Sequence, residues 1–294
     1  MQAIDFIVNP ISGGKDKSSV AAAILKYLDT TRFQARICTT EGPGAAAEMA
    51  RRSDAGLVVA VGGDGTVSEV ASALVGSGKK LGIIPCGSGD GLALHLGISR
   101  TASKAVSILN EGCVAAIDVA EMNGRYFFCT AGVGLDANVS LDFAQSTRRG
   151  LSHYISLAWE EWKNHPGEEY RLETDGESWS GKAVFVTFAN AGQWGNQARI
   201  APMASLQDGL LDVMVVRPFT TLEIPDMATR LMTGLADTSR HVLHFSGTRF
   251  HLHRSRPGAV HYDGDPFEAG TDFDLSIHPG ALQVVVPASH LNKI

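Results

Sequence analysis

Residues suited to handling phosphate are concentrated in the run Val61-Gly62-Gly63-Asp64-Gly65-Thr66, which follows the apolar segment Leu57 to Val61 and precedes residues with helical spacing. Glycines at a strand-to-helix junction let the backbone approach a phosphate closely. The start of a helix offers unpaired N–H groups with partial positive charge, and Thr66 adds a hydroxyl. A carboxylate facing a polyphosphate is repulsive unless a cation lies between them, so Asp64 itself implies Mg2+, bound directly or through water. Taken alone, Gly-Asp-Gly reads equally well as a tight turn capping a helix.

The run is not alone. Pro85-Cys86-Gly87-Ser88-Gly89-Asp90-Gly91 follows a second apolar segment, Leu81 to Pro85, and leads into Leu92 to Leu96. Asn9-Pro10-Ile11-Ser12-Gly13-Gly14-Lys15 ends a third, Ala3 to Asn9, and its polar groups and lysine could reach phosphate or ribose. Three such loops after three strands are hard to explain as chance turns. They mark Asn9, Gly62, Gly63, Gly65, Thr66, Gly87, Ser88 and Gly89 as nucleotide-binding candidates, with Asp64 beside the metal. The Walker A lysine pattern and the dinucleotide-binding glycine spacing are both absent.

Together, Gly-Gly-Asp-Gly-Thr, the leading Asn-Pro-x-x-Gly-Gly and the Pro-x-Gly-Ser-Gly turn resemble the catalytic domain of the diacylglycerol kinase and sphingosine kinase superfamily. The resemblance continues along nearly the whole chain. Ala131-Gly132-Val133-Gly134-Leu135-Asp136-Ala137 is similar to a segment whose aspartate is associated with lipid head-group recognition, which makes Asp136 the substrate-side candidate. Asn190-Ala191-Gly192, Ala201-Pro202 and Gln207-Asp208-Gly209-Leu210 resemble a segment where related bacterial enzymes place a structural metal, implying Asp208; by residue type alone Asp208-Gly209 is a hairpin turn.

Tyr262-Asp263-Gly264-Asp265 resembles the family's Asp-Gly-Glu, so Asp265 takes the position of a catalytic glutamate with a side chain one methylene shorter. A positional error of ~1 Å at such a site can cost 10²-fold in rate. Asp90 also departs from the asparagine usual in that turn, and an added negative charge near phosphates needs a compensating cation. Thr40, in Thr39-Thr40-Glu41, resembles a position near the nucleotide and equally suits a helix N-cap.

The elements that must carry these residues follow from periodicity. In the first 118 residues, short apolar runs alternate with helical stripes at Val20, Ile24 and Leu28, at Val67, Val70, Ala71 and Leu74, and at Ala102, Ala105, Val106 and Leu109. This pattern predicts an α/β domain with a mainly parallel sheet. From about residue 119 the chain turns β-rich, as at Lys182 to Asn190 and Leu211 to Arg217, interrupted by a helical stretch from Leu151 to Trp162 that reads as a packed helix or an apolar lid.

The expectation is therefore an N-terminal α/β nucleotide-binding domain over residues 1–118, of the NAD kinase and diacylglycerol kinase type. A mostly β lipid-substrate domain follows over 119–280, with a segment 281–294 returning to the first domain and a nucleotide cleft between the two.

A chain of 294 residues, 44% hydrophobic, has enough apolar material for two cores. Its net charge of -6 and pI near 5.9 argue against a broad basic surface for nucleic acid or anionic lipid, so any membrane contact is expected to be apolar and transient. No apolar stretch approaches the ~20 residues of a membrane helix, which predicts a cytoplasmic protein with transient peripheral contact to membranes. Cys38, Cys86, Cys113 and Cys129 have no paired spacing and read as reduced thiols. His241, His244, His251 and His253 lack accompanying ligands and are assigned no metal, and Thr147-Arg148-Arg149 reads as solvated surface.

What the resemblance implies is an ATP- and Mg2+-dependent lipid kinase that phosphorylates the hydroxyl of a diacylglycerol, sphingoid base or ceramide at a membrane surface, and that forms a homodimer. Two rivals stand beside it: an NAD kinase-like enzyme and a catalytically impaired nucleotide- or lipid-binding regulator.

Overall fold

The computed structural model describes residues 1–11, 17–146, 151–194 and 198–293. Gly13, Gly14 and Lys15 of the first loop and the Thr147-Arg148-Arg149 run lie outside the described residues, as do the side chains of Leu151, Tyr154 and Ile155. The chain divides into two units, Met1–Val119 with Pro279–Ile294 and Ala120–His278.

The first unit alternates strands and helices: β1 (Gln2–Val8), α1 (Lys17–Tyr27), β2 (Phe33–Thr39), α2 (Ala45–Arg52), β3 (Leu57–Gly62), α3 (Asp64–Leu74), β4 (Lys80–Pro85), α4 (Gly91–His95) and α5 (Ala102–Glu111). The strand β5 (Cys113–Met122) leads into the second unit. Strands β2, β1, β3 and β4 pair in parallel in that order, and Gln283 and Val284 of the returning chain add parallel to Lys80 and Leu81 of β4. β3 is buried at every residue because both faces are covered, which is why it reads as an unbroken apolar run. β2 buries only Phe33 fully and carries polar residues, as an edge strand does, and so gives no such run. The stripes Val20, Ile24 and Leu28 of α1 and its following turn, and Val67, Val70, Ala71 and Leu74 of α3, are buried as their spacing requires.

The second unit contains β6 (Arg125–Phe127), β7 (Thr130–Gly134), α6 (Leu135–Gln145), α7 (Leu151–Asn164), β8 (Glu168–Thr174), β9 (Ser178–Ala183), β10 (Phe185–Ala189) and β11 (Leu211–Val216). After these come α8 (Ile224–Thr233), β12 (Val242–Gly247), β13 (Arg249–Arg254), β14 (Gly258–Tyr262), β15 (Asp265–Ala269) and β16 (Asp272–Val286), which runs back into the first unit. One antiparallel sheet has the order β12-β11-β10-β7-β14-β15, and β16, β13, β8 and β9 pair antiparallel in another.

The inner faces of these sheets share one core, with Val133, Phe188, Val213 and Val260 from the first and Tyr170, Leu172, Phe250, Leu252 and Phe273 from the second. Each buried phenylalanine there contributes about 1.5–3 kcal/mol. On the other face of the first sheet, Leu135 and Val139 of α6, Leu157, Ala158 and Trp162 of α7 and Met227 of α8 pack with Phe185, Met214 and Val216. The predicted helix over Leu151 to Trp162 is thus present, with Ala158 and Trp162 packed inward.

The fold class is that anticipated, an α/β unit with a parallel sheet followed by a mostly antiparallel β unit. Among the described residues no helix is long and apolar enough to cross a membrane, no disulfide joins the four cysteines, and no group of three His, Cys, Asp or Glu is placed to hold a metal ion.

Candidate functional site

In the first unit the glycine loops lie at the carboxyl ends of adjacent parallel strands, where open α/β sheets bind ligands. Gly62 ends β3, and its carbonyl accepts the N–H of Cys86 at 2.7 Å, tying the loop after β3 to the loop after β4. The two loops touch at their glycines: a Cβ on Gly87 would come within 2.7 Å of Gly63 Cα. Helix α3 begins at Asp64 with Gly63 as its N-cap, and its first intrahelical bond runs from Val67 N–H to Gly63 O. The N–H groups of Asp64, Gly65 and Thr66 therefore form an open first turn. Asn9 Nδ2 donates to Thr66 Oγ1 at 3.1 Å, and Thr40 N–H donates to Val8 O at 2.9 Å, so both residues stand at this edge. Helix α2 begins at Ala45 with Gly44 as its N-cap, so Thr40 is not the cap.

Asp64 is built into the loops. Its Oδ2 accepts the N–H of Asp90 at 2.9 Å, and its Oδ1 accepts that of Gly91 at 2.7 Å. Each carboxylate oxygen keeps acceptor capacity beyond these bonds. Asp90 is in the left-handed region with φ 50°, which aspartate tolerates. It folds back so that Oδ1 accepts the Gly87 N–H at 2.7 Å. In the second loop this leaves the amides of Ser88 and Gly89 without a hydrogen-bond partner among the described residues.

The cation that Asp90 requires is Arg100. Its Nε lies 3.1 Å from Asp90 Oδ2, whose side chain is 1% exposed, while Nη2 donates to Ser88 O at 3.0 Å and Gly89 O at 2.6 Å. The C=O and N–H of a trans peptide point in opposite directions. By holding the Ser88 carbonyl, Arg100 therefore fixes where the Gly89 N–H points.

In the second unit Asp136 is 5% exposed at the start of α6. His261 of β14, Gly132 of β7 and Thr187 of β10 stand in one row across three strands. Gly132 has no side chain, and a Cβ there would lie 2.3 Å from Asp136 Oδ2. The carboxylate occupies that space and bridges the row, accepting from Thr187 Oγ1 at 2.8 Å with His261 Nε2 at 3.2 Å, while Oδ1 accepts the Ala137 N–H.

Four residues beyond His261, Asp265 opens β15 opposite Tyr262, across a two-residue turn of Asp263 (φ 51°) and Gly264 (φ 87°). Both residues have the positive φ of a type I′ hairpin turn. Asp263 anchors that turn: its carboxylate accepts the N–H groups of Phe128, Cys129 and Thr130 at 2.7–3.2 Å. Arg254 is buried and donates to the carbonyls of Gly258, Ala259, Ala269 and Gly270, closing the other end of the hairpin, and burial holds its guanidinium below the usual arginine range.

Asp208 forms a local turn, with Oδ1 accepting the Leu210 N–H at 3.0 Å just before β11. The histidines set aside as metal ligands pair with carboxylates instead: His244 with Asp212 at 2.6 Å, His251 with Asp274 and His253 with Asp272, both at 2.8 Å, and His241 with Glu223 at 3.0 Å.

Sequence reading alone does not single out Arg100, Asp263 or His261. Asp263 carried a usable signal, since Asp-Gly between two short apolar segments marks a type I′ turn. Arg100 and His261 carried none, because their roles depend on contacts the fold creates.

The diacylglycerol kinase catalytic domain family matches residues 4–122, and the YegS C-terminal NAD kinase beta sandwich-like domain matches residues 129–286. The diacylglycerol kinase of Bacillus subtilis (strain 168) is 27% identical over 274 residues, covering 90% of each chain. Among solved structures, a diacylglycerol kinase from Bacillus anthracis str. Sterne is similar with a TM-score of 0.79 at 21% identity, covering 98% of both chains. An NAD kinase from Archaeoglobus fulgidus in complex with ATP is similar with a TM-score of 0.57 at 11% identity, over 99% of this chain and 96% of that one. These two likenesses speak to the fold.

Proposed function

The chain belongs to the lipid kinases built on a diacylglycerol kinase catalytic domain, and from that premise we propose that it transfers the γ-phosphoryl group of ATP to a hydroxyl of a diacylglycerol, a sphingoid base or a ceramide. The observation that carries the nucleotide part is the set of backbone donors left open where the two glycine loops meet: Gly65 and Thr66 in the first turn of α3, and Ser88 and Gly89 in the facing loop. Such donors suit the oxygens of a polyphosphate. Gly62, Gly63 and Gly87 supply the close approach, and Asn9 fixes the Thr66 hydroxyl. The NAD kinase of the same fold is described in complex with ATP, which supports that choice of donor.

The donor set at Asp64 fits magnesium. It offers two hard carboxylate oxygens, each with one acceptor position taken by a backbone N–H. That arrangement favours an ion held through water over one chelated directly. When bound, Mg2+ supplies neutralisation of charge on the transferred phosphoryl group.

On the acceptor side, Asp265 orients the attacking hydroxyl and receives its proton late in a loose transition state, where an ordinary carboxylate suffices. Asp263 and Arg254 hold the hairpin that carries it. Asp136 acts from within its bridge to Thr187 and His261, fixing β14 just ahead of the Tyr262–Asp265 turn. Asp208 serves the turn before β11, where a structural metal is a secondary assignment.

The test is phosphate transfer by the purified protein from labelled ATP, with magnesium, to detergent-dispersed diacylglycerol, sphingoid base or ceramide, beside soluble NAD. Label in one of the lipids is the expected result. Label in NAD alone refutes the proposal, and ATP binding without transfer to any acceptor favours a regulator.

A further inference from the structure

The hairpin that carries Asp265 holds a cation on the same face. Tyr262 and Asp265 are cross-strand partners and Phe267 pairs with Val260, so the strand alternation puts Tyr262, Asp265 and Phe267 on one side of β14 and β15. Asp265 and Phe267, two residues apart, are about 7 Å from each other along the strand. The Tyr262 and Phe267 rings meet edge to face, their centroids 5.7 Å apart. Arg125 of β6 lies over both: its guanidinium carbon is 3.6 Å from the Phe267 centroid and 5.2 Å from that of Tyr262.

A rigid mount delivers that cation. β5 turns into β6 through Asn123 (φ 50°) and Gly124 (φ 80°), with Met122 opposite Arg125. The Asn123 side chain accepts the Asp274 N–H at 2.8 Å and donates to Asp272 O at 3.0 Å, fixing the turn against β16. Two residues on, Phe127 is fully buried, and the alternation that sends it into the core sends Arg125 toward the rings of the hairpin.

The donors of this cluster are open. A guanidinium stacked by its face keeps its N–H groups at the rim. Among the described residues none of those N–H groups meets a carboxylate or carbonyl, and the Tyr262 hydroxyl has no hydrogen-bond partner. The acids around the β5–β6 turn pair elsewhere, Glu121 with His278, Asp272 with His253 and Asp274 with His251, while Glu268, opposite Ala259, faces the other side of β15. Burial raises the Tyr262 phenol above its usual range and Arg125 opposes the shift, so the hydroxyl stays protonated at neutral pH. Arg125 and Tyr262 thus bring donors to the face from which Asp265 acts.

Transfer creates the group that such donors recognise. The acceptor oxygen bonds to the γ-phosphorus, its proton passes to Asp265, and the bond from the γ-phosphorus to the bridging oxygen breaks with its electron pair leaving on ADP. The product is a phosphomonoester of charge about -1.5 to -2 at pH 7, and Asp265, once it holds the proton, no longer repels it. A guanidinium fork holds phosphate oxygens two at a time. We infer that Arg125 and the Tyr262 hydroxyl form the subsite for the phosphomonoester newly made on the acceptor lipid, gathering the γ-phosphoryl oxygens as they pass from ADP. The inference rests on the lipid-kinase reading for the reaction, but the subsite itself is measured without nucleotide.

Calorimetric titration without ATP tests it, using dihexanoyl phosphatidate, sphingosine phosphate and a short-chain ceramide phosphate dispersed in detergent, beside their unphosphorylated parents and inorganic phosphate. At least one of the three should bind the wild type. Arg125→Met should bind that one about tenfold or more weakly, with the parent lipid bound equally by both proteins. Arg125→Lys, which keeps the charge but not the fork, should fall between them, and Tyr262→Phe should lose severalfold. In the transfer assay Arg125→Met should lower kcat about tenfold or more while the KM for ATP stays within about twofold. Phosphomonoesters bound equally by wild type and Arg125→Met, or bound by neither, overturn the proposal. Inorganic phosphate that displaces the lipid product at equal concentration also overturns it, by making this a site for a free anion. If Arg125→Met melts at a lower temperature, Arg125→Lys decides: loss of parent and product alike in both variants makes Arg125 a prop for the hairpin and overturns the proposal. Product binding that depends on Arg125, with no transfer to any lipid, supports the subsite and counts against the catalytic reading.

Discussion

Replacing Arg100 with methionine removes a cation from beside the Asp90 carboxylate, which is 1% exposed and beside the loop proposed to hold phosphate. Removing one partner of a fully buried ion pair costs about 3–5 kcal/mol. Arg100 is 37% exposed, so solvent replaces part of its effect, and about 2 kcal/mol remains for the charge itself. Losing the donors to Ser88 O and Gly89 O adds about 1 kcal/mol each. The charge component should be recoverable: Asp90→Asn removes the buried negative charge, tolerates the positive φ, and keeps an oxygen for the Gly87 N–H. Titration of ATP with magnesium should therefore show Arg100→Met binding at least tenfold more weakly than wild type. The double variant Asp90→Asn/Arg100→Met should recover about half of that loss, with a coupling of about 2 kcal/mol. Equal losses in the single and double variants, or a coupling within the ~0.5 kcal/mol of simple additivity, would refute the charge-compensation argument.

Other changes test other parts of the site. Gly87→Ala puts a Cβ 2.7 Å from both Gly63 Cα and Asp90 Oδ1, an overpacking of about 1–3 kcal/mol that should cost ATP affinity severalfold or more; Gly42→Ala, whose Cβ meets nothing, should bind normally. Asp64→Ala should abolish transfer and lower stability by about 2–3 kcal/mol through the amides of Asp90 and Gly91, leaving the α3 core folded; near-normal turnover would remove Asp64 from the mechanism. The imidazole pKa of His244 is raised above the usual histidine range, first by its hydrogen bond to Asp212, so the pair stabilises fully below about pH 6.5 and the gain is lost as pH rises through the folded-state value. Urea unfolding at pH 6 and pH 9 should show a pH-dependent loss of up to about 1 kcal/mol that His244→Gln abolishes; the same loss in the variant would assign it elsewhere.

The parts legible in the sequence are those fixed by local periodicity. Leu57 to Val61 and Leu81 to Pro85 read as buried strands because nothing polar interrupts them, and the stripe Val67, Val70, Ala71 and Leu74 could pack on one side only. Edge strands such as β2 evade that logic, since a chain needing cover on one side carries few apolar residues. The glycine loops were legible as loops, but not the sharing of their amides. That Gly87 gives its N–H to Asp90, while Ser88 and Gly89 keep theirs, depends on the turn at Asp90 and on Arg100 returning after the short helix α4. The Asp136 bridge required three strands to align His261, Gly132 and Thr187, a register no single segment encodes.

The central claim is that the strand-end amides around Asp64 receive the tail of a nucleoside triphosphate. A crystal soaked with ATP and magnesium tests it most directly. Phosphate oxygens within about 3 Å of the N–H groups of Gly65, Thr66, Ser88 and Gly89 are the predicted result. Nucleotide bound elsewhere, with those four amides untouched, would contradict it.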